Sequence, residues 1–227
     1  MVKKNLAVLG LVIVLAALPA TSQAQDAKTL LSTVAKAMGA ENLKTIQYSG
    51  SGSNADAGPN RNPTEPWPLV HVKSYKREID LNATSSRVDL VRVQNNADQR
   101  QTQTITPNSP WDTQYDFWLT PYGFLNGAMT HDATLKQETV FGEKFTVVSF
   151  LVQEKYKVSG YVDEKNQIEK VETRINNDVL AEHVYRDYQD FGGLKFPTTI
   201  IQKQNGMNTL ILIVDNVKAN APQSSGD

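Results

Sequence analysis

"VYRDYQDFGGLKFPTTIIQKQNGMNTLILIVDNV", residues 184–217, sets two turn signals, Gly192-Gly193 and Asn205-Gly206, between apolar runs. Glycine and asparagine tolerate the positive φ that a two-residue hairpin demands, so the stretch reads as three antiparallel strands. The pattern repeats upstream. "KFTVVSFLV" (144–152), "KYKVSGYVD" (155–163), "QIEKVETRI" (167–175) and "LAEHVYRDYQDF" (180–191) lead into "LKFPTTIIQKQ" (194–204) and "MNTLILIVDNV" (207–217), six strand-like runs with short breaks. Consecutive antiparallel strands joined by such turns form a meander. Strand alternation puts Asp187 with His183 and Tyr185, and Tyr188 on the other face with Val184 and Arg186. The tyrosines and acids of this stretch are therefore expected to build a wall and not one catalytic pocket.

The faces of these strands bear on what surrounds them. "QIEKVETRI" alternates, with Val171, Thr173 and Ile175 against Lys170, Glu172 and Arg174. By contrast, Phe145, Val147 and Leu151 oppose Val148, Phe150 and Val152, and Ile211 and Ile213 oppose Leu210, Leu212 and Val214. Both faces being apolar, both are expected to be covered. Two arrangements do this: one strongly curved sheet with a helix against it, or a two-sheet sandwich. The single run of hairpins and an N-terminal helix favour the curved sheet.

That helix is read over residues 26–43. Ala27, Leu30, Leu31, Val34, Ala35 and Met38 recur at helical spacing, Asp26 suits the N-cap, and Gly39 suits the left-handed residue after the last turn. Strands follow at Lys44–Gly52, Leu69–Ile79 and Ser86–Gln94, with a weak edge strand near Gln101–Ile105. "SNADAGPNRNPTEPWP" between the first two is rich in loop formers.

Residues 1–24 read as a secretory signal. Lys3 and Lys4 precede an apolar run from Leu6 to Leu18, and Ser22-Gln23-Ala24 offers small residues for cleavage, an uncleaved anchor being the alternative. The run is shorter than the roughly 20 residues of a permanent span. Cleavage would leave one domain over residues 25–227, periplasmic or secreted and not integral to the membrane. It would delete two lysines and no acid, moving the formal net charge from −1 to −3. With no basic stripe, nucleic acid is not an expected partner. There is no cysteine, hence no disulfide, no thiol nucleophile, no thiolate ligand and no lipid-carrying cysteine behind the signal.

Catalytic patterns are absent. His71, His131 and His183 show no HxH, HxxxH or HExxH spacing, and no serine stands in GxSxG. "GSG" at 50–52 lacks the continuation of a phosphate loop. Glu164, Glu169, Glu172, Glu182, Asp187 and Asp190 fall on charged strand faces or in turns. No metal, no cofactor and no enzymatic activity are expected.

The remaining feature is aromatic. "PWDTQYDFWLTPYGFLNGAMTHDATL" (110–135) concentrates two tryptophans, two tyrosines and two phenylalanines. Thr120-Pro121 predicts a short helix over 121–129, threonine capping and proline giving up an amide that has no partner in the first turn. An element this apolar must lie across the sheet, either as a plug that finishes the core or as a lid over an apolar cavity. In the lid reading Trp111, Phe117, Trp118, Phe124, Leu125, Phe150 and Leu212 are the candidate ligand-binding residues.

With helix, meander and aromatic insertion in this order, the chain resembles the lipoprotein-carrier (LolA/LolB-like) superfamily. The resemblance implies an α+β half-barrel: a strongly curved antiparallel sheet whose concave face is covered by an N-terminal helix and a short inserted helix. "AKAMGAENLKTIQYSGSG" (35–52), "TPYGFLNGA" (120–128), "YRDYQDFGGLKFPTTI" (185–200) and "VKANAP" (217–222) are similar to the N-terminal, non-catalytic region of exported metallo-β-lactamase-fold proteins. The HxHxDH metal motif of those hydrolases is not present in this sequence, so their activity is not carried over, and whether the chain derives from a longer, hydrolase-fused parent stays open. The implied function is an exported binding module for an apolar molecule or lipid, with a lipoprotein or other envelope protein as partner. The alternative is an accessory or interaction domain whose core is filled by its own side chains.

Overall fold

The computed structural model describes residues 20–55 and 65–222, with side chains from residue 26 onward. The signal reading therefore falls mostly outside the described residues. Among these residues, eleven strands form one antiparallel sheet. They are β1 (Thr45–Ala55), β2 (Leu69–Asp80), β3 (Ser85–Gln94), β4 (Ala97–Ile105), β5 (Thr134–Val140), β6 (Glu143–Val152), β7 (Tyr156–Val162), β8 (Ile168–Arg174), β9 (Leu180–Phe191), β10 (Leu194–Gln204) and β11 (Met207–Ala219). Helices α1 (Ala20–Met38), α2 (Trp111–Trp118) and α3 (Pro121–Thr130) complete the fold.

The strand order is β4-β3-β2-β1-β11-β10-β9-β8-β7-β6-β5. Two meanders, β1–β4 and β5–β11, are thus joined by the β1–β11 pair. The order also explains the insertion. The chain leaves the sheet at edge strand β4 and re-enters at the opposite edge strand β5, so the segment carrying α2 and α3 has to traverse the concave face.

Local chemistry sets the hairpins. Asn95-Asn96, Phe141-Gly142, Gln153-Glu154, Gly192-Gly193 and Asn205-Gly206 all have both residues at positive φ, the requirement of two-residue turns whose twist matches the strands. A twisted sheet of eleven strands curls, and bulges help it to do so. Register shifts fall between Ser49 and Gly50 against β11 and between Gly50 and Gly52 against β2. There the backbones approach so closely that a Cβ on Gly52 would lie 2.0 Å from the Ile211 carbonyl oxygen. Gly52→Val is expected to cost about 2 kcal/mol or more by forcing the β1–β11 seam apart, read as a lowered midpoint of urea unfolding.

The first helix differs from expectation at its start. It begins at Ala20, so Asp26 is an interior residue of α1 and not its cap. Ala27, Leu31, Val34, Ala35 and Met38 are buried as its spacing requires, with Leu30 half-buried against the same core. The helix stops at Met38 and not at residue 43, because Gly39, the left-handed residue expected at its end, has φ +71 there and packs on the Gly193 backbone. α2 and β5 were not expected as elements. The α2 signal lies in Trp111, Gln114, Phe117 and Trp118, all buried and at helical spacing.

Two further expectations are corrected. Leu151 and Ile213 are about half exposed, so the convex face is not fully covered. A single sheet has no second layer there, and neighbouring side chains shield only part of it. In β9 the left-handed Asp187 (φ +57) interrupts the alternation without shifting the register: Arg186 pairs with Thr199 and Tyr188 with Pro197. Asp187 is left exposed, its carboxylate accepting from Thr199 Oγ1, and Tyr188 packs against the core together with Tyr185. Asp187 therefore does not share the face of His183 and Tyr185.

Candidate binding site

The predicted cap of α3 is present: Thr120 Oγ1 accepts from the Gly123 amide at 3.1 Å, with Pro121 in the first turn. Phe117, Trp118, Phe124 and Phe150 come together in one cluster. Trp118 meets Phe117 edge-on at 5.1 Å between centroids and Phe150 at 6.0 Å, and Phe124 meets Phe150 at 5.6 Å. His131 closes it, edge-on to Trp118 and stacked on Phe150.

Two positions without side chains make room for these rings. A Cβ on Gly160 of β7 would lie 2.3 Å from Phe124 Cζ, and one on Gly127 of α3 would lie 2.5 Å from Phe150 Cζ. Leu125 and Leu212 belong to the same core. Trp111 sits apart, stacked on Tyr156 at 4.1 Å with its indole N–H donating to the Arg174 carbonyl. All seven candidate side chains are at most 7 % exposed, so the concave face is occupied by the protein's own residues.

Hydroxyls fasten α2 and α3 to the sheet. Tyr122 donates to the Met38 and Lys195 carbonyls and Tyr185 to the Leu119 carbonyl. Burial raises the pKa of both tyrosines, so both stay protonated donors.

A charged group beneath α2 was missed by sequence reasoning. Arg77 of β2 is fully buried; its Nη1 lies 2.9 Å from Asp116 Oδ2, and its Nη2 donates to Ser86 Oγ and the Asp116 carbonyl. Burial opposes the guanidinium charge, but Asp116 and the flanking Tyr48 and Tyr75 outweigh it and raise the pKa. Gln202 Nε2 donates to Asp116 Oδ1 at 3.3 Å. The signal was present: Arg77 stands in register with Tyr75 and Ile79, and His183 with Ala181 and Tyr185.

His183 Nε2 lies 3.4 Å from Asp116 Oδ1. Its pKa is nevertheless lowered to about 4, because burial outweighs the Asp116 charge and Arg77 adds repulsion. The imidazole is neutral in the fold, so the unfolded chain binds the extra proton between pH 6.5 and 4. Stability from this site is present above pH 6.5 and is lost as pH falls toward 4, by at most about 3 kcal/mol. His183→Gln is expected to flatten that loss in urea titrations at stepped pH.

Beside α2 the filled face gives way to an open groove of about 550 Å³. Its apolar wall is Tyr75, Val88, Leu90 and Leu210; its polar wall includes Asn54, Gln101, Gln103, Asp112, Asp116 and Gln202. The size is that of a small-molecule site. Asn54 Oδ1 is buried there with no hydrogen-bond partner among the described residues. No three His, Asp or Glu side chains converge as metal ligands among the described residues, and no described helix is long and apolar enough to cross a membrane.

No family model and no curated protein matches the chain. Solved structures do. A Vibrio parahaemolyticus domain named for outer membrane lipoprotein sorting is similar over 88 % of this chain and 95 % of its own, at 10 % identity and a TM-score of 0.49. A LolA superfamily protein from Nitrosomonas europaea is similar over 87 % and 94 %, at 14 % identity and a TM-score of 0.47. Similarities of this size leave function to be read from the site itself, and the likeness to metallo-β-lactamase-fold proteins rests on sequence alone. The coordinates have the architecture that the LolA/LolB-like resemblance implied: one curved, open antiparallel sheet with helices on its concave face.

Proposed function

We propose that the protein is an exported, non-catalytic binding module that holds an apolar ligand, a lipid or an acylated protein, against the concave face of its half-barrel. The observation that carries this is the open groove beside α2, at whose base lie Tyr75, Val88, Leu90 and Leu210, each at most 9 % exposed, beneath a polar rim. Trp111, Phe117, Trp118, Phe124, Leu125, Phe150 and Leu212 are buried and none of them lines this groove; a ligand reaches them only if α2 and α3 move off the sheet. The apolar segment at residues 6–18 supports export to the periplasm or beyond.

The burial of all seven aromatic-site residues favours a second reading, an accessory domain whose core is complete without a ligand. A fluorescent monoacylglycerol separates the two. Saturable binding is expected, and Gln101→Trp, at an exposed position of the groove wall across from Leu90, is expected to weaken it by about tenfold or more by occupying the space of the ligand's chain without lowering the melting temperature. Absence of uptake by the unmodified protein, with a native mass equal to that of the polypeptide alone, would leave only the accessory domain.

A further inference from the structure

We propose that the groove beside α2 selects its ligand's head group: an amphiphile whose head is uncharged or cationic and carries a hydrogen-bond donor. This rests on the reading of the chain as a binding module and goes on to name the ligand's chemistry.

Charge supplies the first argument. Asp112 and Asp116 line the groove, and no lysine, arginine or histidine does so among the described residues. Asp116 is neutralised from behind by Arg77 at 2.9 Å. Asp112 is exposed in the first turn of α2, and its recorded partner is the uncharged Thr113 hydroxyl at 3.3 Å. The α2 N-terminus contributes about half a positive charge, less than the full charge on Asp112, so the groove stays net negative. A carboxylate, sulfate or phosphate head would be repelled there.

Hydrogen bonding supplies the second. Asn54 Oδ1 is a buried acceptor without a donor among the described residues, and it lies on the concave register of β1, opposite Leu210 of β11. A buried acceptor left unpaired costs free energy that a ligand N–H or O–H would recover. Gln202 Nε2, which lines the same groove, donates to Asp116 and not to Asn54. Tyr75, Val88, Leu90 and Leu210, on the same wall, take the chain.

Four probes with one ten-carbon chain test this by calorimetry on the purified protein at neutral pH and low salt: decylamine, monodecanoylglycerol, decanoate and decyltrimethylammonium. Decylamine and monodecanoylglycerol are expected to bind, and decanoate about tenfold more weakly. Asp112→Lys, at an exposed position, is expected to reverse the order of amine and carboxylate and leave the glycerol ester unchanged. Asn54→Leu is expected to weaken amine and ester by about fivefold while sparing decyltrimethylammonium, a cation with no donor. Equal binding of all heads, or tightest binding of decanoate, overturns the head-group selection and leaves the binding module standing. Binding of none overturns both.

Discussion

Asp116→Ala is expected to destabilise the protein by about 3–5 kcal/mol, because it strands the fully buried Arg77 cation without its counter-charge. Ser86 Oγ and the Asp116 carbonyl still accept from Nη2, but neither carries the charge that offsets desolvation. The loss should appear as a lower urea midpoint with an unchanged slope. The paired substitution Arg77→Met with Asp116→Leu removes both charges at similar volume and is expected to restore most of the loss, since a buried pair is often no better than an apolar replacement. A loss below about 1 kcal/mol in Asp116→Ala would mean that water reaches the guanidinium, contrary to its burial.

Trp118→Ala has an expected cost of similar size, about 3–5 kcal/mol, for a different reason. The indole is 6 % exposed and is held between Phe117, His131 and Phe150. Removing it leaves a cavity that α2 and the sheet cannot both close. Its N–H has no acceptor among the described residues, so no hydrogen bond is lost and the cost is one of packing. Denaturant unfolding gives the stability change, and the fluorescent monoacylglycerol gives its functional counterpart. If the ligand reaches this buried cluster, uptake changes along with stability; in a self-filled domain stability changes alone. A loss under about 1 kcal/mol would place the indole outside the core.

Much of this was legible, and the reasons differ by element. The hairpins were readable because a two-residue turn is local: Gly192-Gly193 and Asn205-Gly206 specify positive φ irrespective of what packs on them. The α3 cap was equally local, with Thr120 and Gly123 three residues apart. α2 was missed because its stripe is shared among tryptophan, glutamine and phenylalanine, and an aromatic-rich segment reads first as loop or plug. β5, "TLKQETV", is a half-exposed edge strand held partly by its pairing with β6, and edge pairing leaves little periodicity to read. The break at Asp187 was invisible because aspartate enters the left-handed region without advertising it, and one such residue disturbs the alternation of the side chains that follow.

The sequence by itself determined that this chain is a meander with a helix before it and an aromatic insertion within it, since turn residues, caps and apolar periods act over a few neighbours. Only the tertiary structure decided that Arg77, Asp116 and His183 meet beneath α2, that the seven aromatic-site residues fill the concave face, and that the open space lies beside that helix against β1–β4. Those contacts join residues tens of positions apart, and whether a curved sheet is filled or open depends on how volumes add across its concavity.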